Sequence, residues 1–313
     1  MLDVANELGM SLPVSLDEKR KFFLLTTPVK TLGAALTLFQ QAQRLLYNES
    51  VLERLAFETV QEAAKENTKL LELRYAPTFI EVDHPNLTWD HIHQSFLKGI
   101  KKAQSQYQIG VGLIIIVQRT LSLKNAESIV DFAINNKKTI VGIDLADDEN
   151  GFNAKPFESI FQRAKTAGLR VTVHAGEVPG KDSITNIEDS INLLGAERIG
   201  HGIQAIHSPN TLKLLRDKKI PLEVCPSSNY LTQIVSKLEQ HPLRRLYNEG
   251  ILLTISTDDP GIFNYTLTDE LNATQNVLGF SENELKSFQK IGFEHSFISK
   301  EIKQNFQHYF EDL

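Results

Sequence analysis

Four short apolar stretches of this sequence each end in a polar segment rich in glycine, proline or serine. These stretches are LRVTVHAGE (169–177), RIGHG (198–202), IPLEVCPSSN (220–229) and ILLTISTDDP (251–260). Their chemically active residues follow one another at roughly the 30-residue length of a βα unit. Active sites of parallel sheets form at the carboxyl ends of the strands, so these side chains are expected to surround one mouth of a sheet.

His174 and Glu177 form the first candidate pair. A neutral imidazole is a common zinc ligand, and a nearby carboxyl group can exchange protons with a metal-bound water or a substrate. Gly176 between them permits close approach of the backbone to a ligand. The alternative interpretation is a buried histidine bonded to the backbone, with Glu177 as a helix N-cap.

His201 is the second candidate, and it lies between Gly200 and Gly202. Flanking glycines clear space around an imidazole that must meet a ligand, although a packed turn explains the glycines equally well.

Asp258 and Asp259 are the third candidate, at the end of a buried strand. Two adjacent carboxylates are costly there unless positive or hydrogen-bonding groups meet them. Neighbouring side chains of an extended chain point to opposite sides, so one carboxylate could bind a metal while the other contacts substrate. The alternative is a capped turn before Pro260.

The remaining polar candidates are weaker. Cys225 is interpreted as a small buried residue, and residues 227–229 could bond their neighbours or merely form a turn. His91 and His93 lie in a segment predicted to be helical, where positions i and i+2 do not share a face. The paired cysteines of the cytidine-type deaminases and a glycine-rich phosphate loop are both absent from the sequence.

The elements that must position these residues alternate between short apolar runs and amphipathic segments, as in βα units. Three more strands are predicted at KLLELRYAP (69–77), GVGLIIIVQR (110–119) and TIVGIDLAD (139–147). Helices are predicted at 31–46, 50–67, 126–136, 155–168, 186–196 and 210–218, and over the last 50 residues. An eight-stranded barrel needs one strand more than these seven, so either the sheet is open or a first strand lies upstream of Met1.

Composition narrows the class of ligand. The 313 residues carry 33 basic and 39 acidic side chains, a formal net charge of −6, and no basic patch of the kind that nucleic acids require. The longest apolar stretch, at 109–117, is too short to cross a bilayer. One cysteine excludes an intramolecular disulfide, and the N-terminus lacks a signal pattern. We expect a cytoplasmic protein with a small-molecule ligand and neither a nucleic-acid nor a membrane partner.

Taken together, six segments resemble the adenosine deaminase family of metal-dependent amidohydrolases. In chain order they are LELRYAP, TIVGIDLADDE, TVHAGE, RIGHG, LEVCPSSN and STDDP, and the likeness extends from about residue 15 to the C-terminus. The resemblance implies an α/β fold, a (β/α)8 TIM-type barrel with extra helices, in a single domain over residues 1–313. It also implies one Zn²⁺ per chain and hydrolytic deamination of adenosine or deoxyadenosine to inosine or deoxyinosine plus ammonia.

The resemblance implies a role for each candidate residue. His174 and Asp258 resemble zinc ligands, and Asp258 also helps to deprotonate the bound water. Glu177 resembles the acid that protonates purine N1. His201 resembles the histidine that orients the hydroxide and stabilises negative charge, and Asp259 resembles the residue that bonds purine N7.

Two departures from the family pattern affect the expected site. Members begin with a strand bearing His-x-His, whose histidines bind zinc, whereas this sequence begins at MLDVANELGM. The domain is therefore expected to be N-terminally incomplete, with zinc held weakly by only two of its four protein ligands. Asp147 stands where the family usually has glycine, and its carboxylate could crowd a ligand. Asp147 and Gly176 are both expected at the substrate.

The sequence leaves two classes of function open. One is an enzyme that acts on adenosine or, alternatively, on adenine or another 6-aminopurine. The other is a metal-deficient homologue that binds purine nucleosides without catalysis. The presence of Glu177, His201, Asp258 and Asp259 favours the enzyme. The sequence does not predict an oligomeric state.

Overall fold

The computed structural model describes residues 1–29 and 32–311. Its strands form one parallel sheet in which the spatial order equals the chain order. The strands are β1 (Leu70–Tyr75), β2 (Gly110–Gln118), β3 (Ile140–Ala146), β4 (Arg170–Ala175), β5 (Arg198–His201), β6 (Leu222–Val224) and β7 (Leu253–Ile255). All seven predicted strands are present, and the predicted α/β class is confirmed.

Helices connect and cover the strands. They are α1 (Leu2–Glu7), α2 (Leu16–Phe23), α3 (Leu32–Gln43), α4 (Glu49–Lys65), α5 (Pro77–Glu81), α6 (Trp89–Gln104), α7 (Leu123–Asn135), α8 (Glu158–Thr166), α9 (Ser183–Asn192), α10 (Pro209–Lys218), α11 (Pro226–Leu231), α12 (Leu243–Asn248), α13 (Pro260–Phe263), α14 (Leu267–Asn276), α15 (Glu282–His295) and α16 (Lys300–Gln304). Each predicted helix has a counterpart, and Thr31, the first residue of the helix predicted at 31–46, lies outside the described residues. No helix in the described ranges is long and apolar enough to cross a membrane.

Local chemistry explains where several helices begin. Asn48, Thr88, Ser122 and Ser208 precede α4, α6, α7 and α10, and each side chain accepts a hydrogen bond from the backbone N–H three residues later. This satisfies a donor that the helix itself leaves unpaired, and it is worth about 1 kcal/mol per helix. These four helices therefore start at fixed points in the chain.

The burial of β2 shows that the sheet is covered on both faces. Ile114 and Ile115 are both fully buried although adjacent strand residues point to opposite faces. On one face the apolar sides of helices such as α6 and α7 complete the main core, through residues such as Ile92 and Ile129. Two-sided burial of this kind is typical of parallel sheets with βα crossovers.

The other face is concave and carries charged side chains. Arg74 on β1 makes ion pairs of 2.6 Å with both Asp144 on β3 and Glu223 on β6. In a flat sheet β1 and β6 would lie five strand spacings apart, about 24 Å, which no arginine spans. The sheet must therefore curl around this face, as in a TIM-type barrel. Within the described residues β1 pairs only with β2 and β7 only with β6, so the sheet has two edges.

Candidate active site

The ends of β4, β5 and β7 bring three of the candidate residues together. His174 and His201 are on β4 and β5, and Asp258 follows β7. One potential ligand atom from each of the three lies within 4.8 Å of the others. Glu177 joins them, because its Oε2 is 3.8 Å from Nε2 of His201. Four residues proposed from three separate sequence segments thus face one region of the mouth.

Two of these residues have an unusual backbone conformation. His201 and Asp258 both have φ of 57°, in the left-handed region that residues other than glycine rarely adopt. Gly202, immediately after His201, has φ of 65° and continues the same turn. Such conformations cost of order 1–3 kcal/mol each and concentrate at functional sites.

Gly200 makes room for the imidazole of His174. A Cβ atom at position 200 would lie 3.0 Å from Nδ1 of His174, because the two residues are paired across β4 and β5. The expectation that Gly200 also clears space around its chain neighbour His201 stays a prediction. The packing of neighbouring strands, which the sequence order does not display, adds His174 as an imidazole that this glycine accommodates.

Asp144 orients His174, although it was not among the predicted site residues. Its carboxylate lies 3.0 Å from Nδ1 of His174, which leaves Nε2 available to the mouth. Burial opposes ionisation of Asp144, but the contacts with His174 and Arg74 hold its pKa well below the ordinary value. The same contact raises the pKa of His174 to about 9, against the effect of burial. A carboxylate behind a histidine is the usual support of a metal-ligating imidazole.

The two remaining carboxyl groups have raised pKa values. Burial raises the pKa of Glu177. Burial and the negative charge of Asp258 raise the pKa of Asp259 to about 7. Asp259 can therefore carry a proton near neutral pH, and the shift of Glu177 is in the direction that favours its protonated form. A carboxyl group that acts as an acid or a hydrogen-bond donor must hold a proton.

The segment after β6 contributes more than its sequence indicated. The hydroxyl group of Ser228 donates to Asp258 at 2.8 Å, and the side-chain nitrogen of Asn229 lies 3.2 Å from Nδ1 of His201. Both residues are fully buried on α11. Of the two alternatives for residues 227–229, hydrogen bonding to neighbours therefore holds for Ser228 and Asn229, which contact Asp258 and His201.

Gly176 has a packing role in the structure. Its φ is 69°, and a Cβ atom there would lie 2.3 Å from Cδ1 of Ile187. Its N–H donates to Glu149 at 2.9 Å, and its carbonyl accepts from the backbone of Gln204 at 2.9 Å. Both backbone groups thus have partners within the protein, and the predicted contact of Gly176 with substrate stays a prediction.

Asp147 is tied to the end of β2. Its carboxylate accepts hydrogen bonds from the Thr120 hydroxyl group and from Nε2 of Gln118, the latter at 3.3 Å. Asp147 lines a cavity of about 300 Å³ together with Thr78 and Gln118. None of these three residues belongs to the His174 cluster, which consists of His174, Glu177, His201 and Asp258. The predicted role of Asp147 at the substrate likewise remains a prediction.

The clustered donors suit a zinc ion. Two imidazole nitrogens and one carboxylate oxygen match the ligands of catalytic zinc sites, which use three protein ligands and leave one position open. Asp144 supplies the support expected behind such a ligand. His201 can join the set through Nε2 only if that nitrogen carries no proton.

The sequence matches a known family. The model of the adenosine deaminase family matches residues 1–311. The adenosine deaminase of Vibrio vulnificus is 32% identical over 307 residues, which is 97% of this chain and 91% of the relative.

Solved structures with similar folds include deaminases of several substrates. Adenine deaminase from Arthrobacter aurescens has a TM-score of 0.90 at 25% identity, covering 99% of this chain and 93% of that one. The N6-mAMP deaminase of Arabidopsis has a TM-score of 0.85 at 25% identity, covering 100% and 92%. An amidohydrolase from Burkholderia ambifaria with bound Zn has a TM-score of 0.87 at 24% identity, covering 99% and 85%.

Proposed function

Because this chain belongs to the adenosine deaminase family, we propose that it hydrolyses adenosine or deoxyadenosine to inosine or deoxyinosine and ammonia. The observation that carries the proposal is the meeting of Glu177, His201 and Asp258 at one mouth, with Glu177 Oε2 3.8 Å from His201 Nε2. An acid, a polar imidazole and a carboxylate around one point suit the addition of water to a ring carbon and the departure of an amine.

The nucleoside is proposed ahead of other 6-aminopurines on similarity. The Vibrio relative, an adenosine deaminase, is 32% identical to this chain, whereas the adenine and N6-mAMP deaminases are 25% identical. Steady-state rates with adenosine, deoxyadenosine, adenine and N6-methyl-AMP test this choice. A higher kcat/KM for adenine or for the nucleotide would replace the nucleoside as the substrate.

The proposed cofactor is one zinc ion, held by His174 and Asp258 with His201 beside them. Bound there, zinc would supply Lewis-acid activation of water at neutral pH. Asp144 holds the His174 ring through Nδ1 and so aims Nε2 at the mouth, while Ser228 fixes the Asp258 carboxylate at 2.8 Å. Two protein ligands bind zinc more weakly than three or four, so zinc content is measured with every rate.

Glu177 and Asp259 carry the proposed proton chemistry on the purine. Glu177, with its raised pKa, donates a proton to N1, which makes C6 more electrophilic. Water then adds to C6 and gives up both of its protons, of which one restores Glu177 and the other goes to the exocyclic nitrogen. The bond from C6 to that nitrogen breaks as ammonia leaves. Asp259, with a pKa of about 7, is partly protonated at neutral pH and in that form can donate a hydrogen bond to N7.

The decisive experiment compares Glu177→Gln with the wild type in protein of measured zinc content. Loss of the proton donor should lower kcat by about 10²- to 10⁴-fold while zinc content stays unchanged. Glu239→Gln, at an exposed position, is the matched control. Absence of turnover with all four substrates in fully zinc-loaded protein would overturn the proposal. Nucleoside binding without turnover in that protein would favour a non-catalytic binding protein.

We also propose that residues 1–313 act as one deaminase-like domain. The main core extends from Leu46 to Phe288 without a break into separate clusters that could divide the sheet. Two smaller clusters lie among the N-terminal helices and at the α3–α13 contact. Limited proteolysis that released a stable half of the sheet would contradict a single domain.

A further inference from the structure

The role of His201 depends on which of its ring nitrogens carries the proton. Its Nε2 faces the mouth, 3.8 Å from Oε2 of Glu177. Its Nδ1 faces the other way, 3.2 Å from the side-chain nitrogen of Asn229. A bare Nε2 can ligate a metal, whereas a protonated Nε2 can only donate a hydrogen bond.

The hydrogen bonds behind Asn229 lead to a second histidine, His241. Nε2 of His241 lies 3.1 Å from Oδ1 of Asn229, and Nδ1 of His241 accepts from the backbone N–H of Leu243 at 3.1 Å. His241 is 5% exposed, and burial lowers its pKa to about 3. The ring is therefore neutral at neutral pH and carries a single proton.

The backbone N–H of Leu243 can only donate a hydrogen bond. It therefore determines which atom donates and which accepts in each bond from His241 to His201. Nδ1 of His241 must be bare to accept from Leu243, which places the one ring proton on Nε2. That proton needs an acceptor, so the oxygen of Asn229 faces His241 and its NH₂ group faces His201. Nδ1 of His201 accepts from this group, and the proton of a neutral His201 is left on Nε2.

We propose that His241, acting through Asn229, holds His201 in the tautomer that presents an Nε2–H donor to the mouth. His241 is then a positioning residue that lies outside the His174 cluster and is linked to it through the hydrogen bonds of Asn229. The opposite orientation of Asn229 would set its NH₂ group against the Nε2–H group of His241. All three side chains are at least 95% buried, so an unmatched donor there is costly.

The inference rests on the proposed function only for its catalytic consequence. A donor at Nε2 can hold an oxygen nucleophile beside Glu177 and counter negative charge that develops on it. A protonated Nε2 cannot ligate a metal, so His174 and Asp258 are then the metal ligands of this cluster. The tautomer itself follows from the hydrogen bonds and can be measured in protein that turns nothing over.

Nuclear magnetic resonance of protein labelled with ¹⁵N-histidine tests the tautomer directly. Long-range ¹H–¹⁵N spectra distinguish a protonated ring nitrogen from a bare one, and the His201 signals are those absent from His201→Gln. We expect a protonated Nε2 and a bare Nδ1 on His201, both before and after addition of Zn²⁺. A proton on Nδ1, or loss of the Nε2 proton on zinc addition, would overturn the inference. Both results are measured in the wild-type protein, so they do not depend on whether a variant folds.

Asn229→Asp tests the path through the amide group. The two side chains have the same shape, but the carboxylate accepts from both histidines, so a proton should appear on Nδ1 of His201. An unchanged bare Nδ1 in folded Asn229→Asp would contradict the path.

His241 is tested by kinetics. His241→Phe should lower kcat for adenosine by about tenfold with little change in KM, as expected for loss of an outer partner. His241→Gln, which keeps an N–H donor toward Asn229, should restore most of that loss. Equal losses in the two variants would count against the inference. An inactive wild-type protein with the expected tautomer would instead refute only the proposed function.

Discussion

Arg74→Met removes the central cation of the concave face without removing its stem. The guanidinium bridges Asp144 and Glu223 at 2.6 Å each, and these two carboxyl side chains are 0% and 9% exposed. Glu223 keeps a second cation, Arg198, at 2.9 Å, and Asp144 keeps His174. The variant therefore leaves two buried carboxylates with only part of their compensation.

Two independent considerations place the cost at a few kcal/mol. Removing one member of a buried ion pair usually costs about 3 to 5 kcal/mol, because the other charge stays buried. Burial opposes ionisation of Glu223, but Arg74 and Arg198 lower its pKa from 4.5 to about 2. A tenfold change in an ionisation constant corresponds to about 1.4 kcal/mol, so the lowering by both arginines together contributes about 3 kcal/mol at neutral pH. Arg74→Met removes the Arg74 share of this contribution, and Arg198 keeps the rest.

Urea denaturation followed by circular dichroism at pH 7 measures the loss. Arg163→Met is the matched control, because Arg163 pairs with Asp131 at the same 2.6 Å but with side chains 44% and 57% exposed. An exposed pair contributes about 0 to 1 kcal/mol, so the control should lose little stability. Because the ion pairs have the same length, the difference in lost stability between the two variants measures the effect of burying the pair.

The change of the free energy of unfolding with pH is a second test of Arg74→Met, and the pKa of Glu223 gives its direction. Glu223 is an acid whose pKa is lowered on folding, so its contribution is fully present above pH 4.5 and is lost as the pH falls toward about 2. Arg74→Met should weaken this acid dependence. Equal losses of stability in Arg74→Met and Arg163→Met at pH 7 would refute the reasoning, as would an unchanged acid profile.

Other substitutions test single features of the structure. Gly200→Ala places a Cβ atom 3.0 Å from Nδ1 of His174 and should weaken zinc binding by about tenfold. Gly180→Ala, whose Cβ atom would meet only Ser183 at 3.6 Å, is its control, and equal zinc affinity in both would contradict the expectation. His93 is fully buried, and burial lowers its pKa to about 4, so acid should destabilise the protein as the pH falls from 6.5 toward 4. His93→Asn should lose part of that dependence in denaturation midpoints compared at pH 7 and pH 5, whereas the exposed His91→Asn should keep it. Asp147→Gly should leave KM for adenosine nearly unchanged, because Gln118 and Thr120 hold the carboxylate; a clearly lower KM would show that it crowds the ligand.

Periodicity and strand-end chemistry were enough to predict a parallel α/β sheet and to propose residues at its mouth. The alternation of apolar runs and amphipathic segments is a local property, so the seven strands and their parallel direction followed from it. His174, His201 and Asp258 follow buried strands directly, and parallel strands place their carboxyl ends at one edge. Their proximity was therefore implied by the order of the segments alone.

The support of the site was decided only by tertiary structure. Asp144 lies in the same strand motif as Asp147, but the sequence pattern predicted a role only for Asp147. Arg74 lies in an otherwise mostly apolar segment, and nothing in that segment predicts its partners. Their link, and the link from His241 through Asn229 to His201, depend on the curl of the sheet and on how α11 packs behind it. Local sequence determines which residues end a strand, but partners far apart in the chain meet only when the folded sheet sets their distance.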